Sequence, residues 1–152
     1  MTTASGAFAA IRSRLEASGS GITIPLRWQG ENTGPLPDVP APFAFVIFDN
    51  FGSRPGPAEF GGGRGQNRYR NQAAVECYVF APNGVGLAVA LDHAETIAAR
   101  LRSFRDDNIS CFSADVKPIG DGAGIAPLGL QSDVNNYQVA LAEISLHFDQ
   151  IG

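Results

Sequence analysis

Over Asn135–Asp149 an apolar side chain recurs at every second position: Ala140, Ala142, Ile144, Leu146 and Phe148. A period of two places those residues on one face of a strand. Glu143, Ser145, His147 and Asp149 fall on the other face. A strand with one apolar face has to sit in a sheet, and that sheet needs a second layer against it. The small alanines on the apolar face would let a helix approach closely. With 152 residues and 44% apolar content, the chain can supply both layers in one domain.

Two segments have the helical period that such a layer needs. In Ala4–Ala17, residues Ala4, Phe8, Ile11 and Leu15 make one stripe, and Gly19-Ser20-Gly21 ends the helix. Gly86–Phe104 has the clearer stripe, through Leu87, Leu91, Ala94, Ala98 and Leu101. Asp92 near its start and Arg100 and Arg102 near its end suit the helix dipole.

Four further strands are expected. Ile22–Trp28 alternates strictly, but Pro25 cannot donate to a ladder, which predicts an edge position or a break there. Phe43–Phe48 is apolar on both faces, as in a strand covered on both sides. Tyr69–Phe80 and the weaker Ile109–Ile119 complete the set. Between the first two runs a segment with prolines at 35, 37, 40 and 42 must be extended and irregular. Gly52–Gly65 and Gly120–Asp133 read as long glycine-rich loops, and residues 1–5 as a flexible start. The fold class that follows is α+β: a mainly antiparallel sheet of about five strands, with two helices packed on one face.

Composition narrows the functional classes. A net charge of −4 argues against a general nucleic-acid binder. No apolar run approaches the roughly 20 residues of a membrane-spanning helix, so a soluble protein with no membrane partner is expected. Met1–Phe8 lacks the basic and apolar parts of a secretory signal. Cys77 and Cys111 have no ligand-spaced neighbours, so buried free thiols are expected, or a disulfide if their strands are adjacent.

No motif carries chemistry. Gly61-Gly62-Gly63-Arg64-Gly65 lacks the Lys and Ser/Thr of a phosphate-cradling loop and leads into a strand. Arg64, Arg68 and Arg70 with Tyr69 have the basic–aromatic interleaving seen in single-strand binders, yet the acidic balance favours ion pairing with a neighbour. His93 and His147 sit on separate elements without a nucleophile motif. Asp106-Asp107-Asn108 lacks the spacing of a calcium loop and reads as a helix-to-strand turn. Neither catalysis nor a cofactor is expected. Trp28 closes a strand before the proline-rich segment, where it is either a core anchor or an interface residue.

The layout as a whole resembles the tail terminator proteins of long-tailed bacteriophages. The resemblance rests on the helix around Phe8, Ile11 and Leu15, the strand ending in Trp28, and the proline segment before Phe43–Phe48. It continues with the glycine-rich loop before Tyr69–Phe80, the long helix, and two closing strands. It covers nearly the whole chain, is architectural, and extends to related neck and tail-completion proteins. It implies a structural virion protein, made in the host cytoplasm and built into the tail or neck. Such a protein forms a ring, a hexamer, that ends tail-tube polymerisation and meets the tube protein on one side and head–neck connectors on the other. DNA would pass through the bore without specific binding. Arg27, Trp28, Glu31, Arg64, Arg68 and Arg70 are the candidate interface residues. A head-to-tail joining protein of the same kind of particle is the alternative role. A small-molecule or nucleotide-binding module is the alternative of another class.

Overall fold

A computed structural model describes residues 2–32, 34–50, 61–121 and 136–151. Two helices, α1 (Ala4–Glu16) and α2 (Leu87–Leu101), cover one face of a five-stranded sheet. Its strands are β1 (Leu26–Trp28), β2 (Phe43–Asn50), β3 (Arg68–Pro82), β4 (Ile109–Asp121) and β5 (Tyr137–Ile151). They lie in the order β1-β2-β3-β5-β4. All pairings are antiparallel except β1 with β2, which run parallel across the proline-rich crossover.

The α+β class holds. The longest contact is β3 against β5, in unbroken register from Arg68↔Ile151 to Pro82↔Tyr137. Ala140, Ala142, Ile144, Leu146 and Phe148 are all buried on the helix side, as their alternation requires. They meet Ala90, Ala94, Ile97, Ala98 and Leu101 of α2 in one core. Ala7, Ile11 and Leu15 bring α1 into the same core. At the β1 end, Phe8 stands edge-on to both Trp28, at 5.5 Å, and Phe48, at 6.0 Å.

Several boundaries differ from expectation. The run Ile22–Trp28 keeps its alternation, with Ile22, Ile24, Leu26 and Trp28 all toward the core, but only Leu26–Trp28 is a strand. Pro25 is the break: without an N–H it contributes only its carbonyl, which accepts the Ala44 amide at 2.9 Å. Gly120 and Asp121, expected in a loop, are the end of β4, while residues 122–133 of that expected loop lie outside the described residues. Gly86 and residues 102–104, expected inside the second helix, lie outside it. Gly86 caps α2 at φ +89°, a conformation that glycine adopts without a Cβ clash. Of the expected start at residues 1–5, Thr2 donates to the Asp149 carbonyl at 2.9 Å, and the Thr3 hydroxyl caps α1 by accepting the Gly6 amide at 3.1 Å. Asp106 makes the expected turn: its Oδ1 accepts the amides of Asn108 and Ile109.

β5 lies between β3 and β4, so Cys77 and Cys111 are not on adjacent strands and both are buried free thiols. Burial pushes Cys77 up to about 12 and Cys111 up to about 11, which leaves almost no thiolate at neutral pH.

Candidate functional site

The face of the sheet opposite the helices is where the charged and unassigned residues gather. At the end where β5 begins, it carries a second, smaller apolar cluster: Phe43, Phe80, Tyr137 and Val139, all buried. Phe43 and Phe80 stack at 4.7 Å and 4°, and Tyr137 stands edge-on to both. Leu36 of the proline-rich segment packs against this cluster. Phe43–Phe48 is therefore covered on both sides at its start, as its composition suggests.

The middle of the same face is acidic. Glu143 of β5 is in register with Glu76 of β3 on one side and with Asp115 of β4 on the other. The three carboxylates form one row across three strands, a placement that is unfavourable between like charges. Lys117 pairs with Glu143 at 2.6 Å, and the Tyr78 hydroxyl donates to Glu76 at 3.0 Å. Burial and that hydrogen bond push the Tyr78 phenol up to about 12.

At the far end, Arg68 and Arg70 converge on Asp149. Two residues apart on β3, their side chains share a face. Arg68 Nε donates to Asp149 Oδ2 at 2.8 Å, and Arg70 Nε to Oδ1 at 2.9 Å. The carboxylate is 8% exposed, and the two guanidiniums hold its carboxyl below the usual range despite its burial. Asp149 was expected on the polar face. That Arg68 and Arg70 both reach it depends on the β3–β5 register, which single-strand periodicity does not reveal. On the neighbouring edge strand, Phe112 sits at a β-bulge, 57% exposed, and stacks on His147 at 5.9 Å.

The remaining expected site residues do not join that cluster. Arg27 is 8% exposed. Its Nη1 and Nη2 donate to the Gly34 and Pro35 carbonyls, at 2.8 and 3.0 Å, and its guanidinium lies over Phe43. It clamps the proline-rich segment within this chain. Trp28 is 2% exposed, and its Nε1 donates to Glu16 Oε1 at 2.8 Å, so it takes the core-anchor role. Glu31 pairs with Arg12, which also pairs with Glu16. Arg64 is exposed and belongs to neither cluster. The six thus fall into separate places: Arg68 and Arg70 meet at Asp149, while Trp28 and Glu31 meet around Arg12, with the Glu31 amide donating to the Trp28 carbonyl at 3.1 Å. Among the described residues, no three His, Cys, Asp or Glu side chains come together as a metal site, and no helix is long and apolar enough to cross a membrane.

No protein-family model matches the chain, and no curated protein matches it. Among solved structures, a chain designated only by a sequence identifier is similar at 14% identity and a TM-score of 0.48, over 97% of this chain and 96% of that one. A likeness at that level bears on neither family nor function.

Proposed function

We propose that this chain is a structural virion protein: the subunit of a ring, a hexamer, that caps the tail tube of a phage-like particle. The ring ends tube polymerisation and offers the surface that joins the tail to the head–neck connectors. The observation that carries the reading is the helix-free sheet face. Neither helix covers it, and it bears three carboxylates in a row and an exposed aromatic at a bulge. A two-layer domain that leaves one broad face to other molecules is suited to assembly. The element order, from the helix before Trp28 through the proline-rich crossover to the paired closing strands, agrees with the layout that suggested tail terminators. A net charge of −4 is compatible with a bore through which DNA slides without sticking.

Native mass spectrometry of the purified chain, alone and with tube protein, tests the reading. A closed ring that halts tube growth in vitro is the expected outcome. A chain that stays monomeric at high concentration and leaves tube length unregulated would sink it. Cross-links to portal or adaptor proteins in place of tube protein would move the assignment to the neck.

A further inference from the structure

Two patches on opposite sides of the molecule carry opposite charge. On the helix side, Arg14 of α1 and Arg100 of α2 exchange hydrogen bonds: each Nε donates to the other's backbone carbonyl at 3.2 Å. Arg14 also lies over the Phe104 ring at 4.7 Å. Neither guanidinium has a carboxylate partner among the described residues. Together they border an open groove of about 480 Å³ whose α1 wall is small side chains, Gly6, Ala10 and Ser13 among them. Asp106 is the one carboxylate on the groove, and its Oδ1 already accepts two amides. On the sheet side, the row Glu76–Glu143–Asp115 sets three carboxylates against the single ammonium of Lys117. Asp115 is exposed and makes no direct ion pair among the described residues, sharing only the longer-range attraction of Lys117.

We propose that the occupant of the sheet-side row is a second copy of this chain, docking through its Arg14–Arg100 groove. The inference rests on the ring reading above and specifies its contact. Two different patches on opposite sides of one subunit make a head-to-tail contact, which closes into a ring when the rotation per subunit divides a full turn and otherwise runs on as a filament. The like-charge row is unfavourable in the isolated chain, and a neighbour's guanidiniums relieve it. The small side chains of α1 let the carboxylates approach those guanidiniums closely. Arg14 and Arg100, already held by each other's carbonyls, lose little freedom on binding.

The test uses the full chain in sedimentation velocity across a salt series. Glu76→Lys/Asp115→Lys is the primary variant; Asp115 is exposed and Glu76 half-buried, so folding is checked by circular dichroism, and Asp115→Lys alone stands in if the double variant does not fold. It is expected to raise the subunit dissociation constant about tenfold or more, and added salt should loosen the wild-type ring in the same direction. An equimolar mixture with Arg14→Glu/Arg100→Glu should restore association; should that second variant fail to fold, the first alone decides. A Glu76→Lys/Asp115→Lys ring as tight as wild type would overturn this contact and leave the ring reading standing. A wild-type chain that never associates would overturn both.

Discussion

The two faces of the sheet use the same alternation for different ends. On the helix side every second residue of β3 and β5 is apolar along nearly the whole strand, and most are alanine, valine, isoleucine or leucine that α1 and α2 bury completely. On the opposite side apolar residues hold only one end, around Phe43, Phe80 and Tyr137, and charged groups take over along the strands. The first pattern makes a core that one chain closes by itself. The second is half a core followed by ion pairs and a row of carboxylates, an arrangement that is unfavourable in the isolated chain and that the proposed subunit contact would relieve.

That contrast is open to direct attack. The largest effect is expected on the helix side: Leu146→Ala leaves a cavity under α2 and should cost about 3 kcal/mol, read as a lower urea midpoint at unchanged slope. On the other face, Asp149→Asn should cost about 2 kcal/mol at neutral pH, below the range of a fully buried pair because Arg68 and Arg70 keep some contact with water. Its pH dependence has a fixed sign. The folded carboxyl binds its proton more weakly than the unfolded one, so its stabilisation is complete above the ordinary carboxylate range and drains as pH falls below it. Wild type and Asp149→Asn should therefore converge in acid; a gap that stays constant would show that the pair contributes nothing through charge. Arg27→Lys should cost about 1 kcal/mol, because an ammonium cannot hold the Gly34 and Pro35 carbonyls together while stacking on Phe43. Smallest is Asp115→Asn, which should stabilise the monomer by about 0.3 kcal/mol by thinning the carboxylate row. A loss of stability there would mean that the row is already compensated within the chain.

Periodicity made the helix side legible in advance. The stripe of α2 and the even-numbered residues of β5 identify a helix–sheet core without knowledge of which strands touch. The opposite face was legible only in part, because its meaning lies in register. Nothing local says that Glu76 and Asp115 flank Glu143, or that Asp149 lies between two arginines more than seventy residues earlier. Arg68 and Arg70 did carry a signal, since spacing of two on a strand puts both on one side. Trp28 shows the reverse limit. A large aromatic before a polar loop suits core and surface equally, and its burial follows from Glu16 and Phe8, which α1 brings alongside. Ile22–Ile24 kept its inward alternation yet lost its ladder, because Pro25 governs hydrogen bonds and leaves side-chain direction untouched.

The interior place of β5 has a consequence in time. It pairs with β3 on one side and β4 on the other, so an interior place in the sheet is filled by the last of the five strands to be synthesised. Until it leaves the ribosome, β3 and β4 have no common neighbour, and the apolar side of α2 lacks part of its floor. Pairing β3 with β5 closes a loop that is shortest between Pro82 and Tyr137, still far longer than a hairpin's. Completion of the fold is thus deferred until β5 has emerged, and a nascent chain stalled before it cannot complete either face.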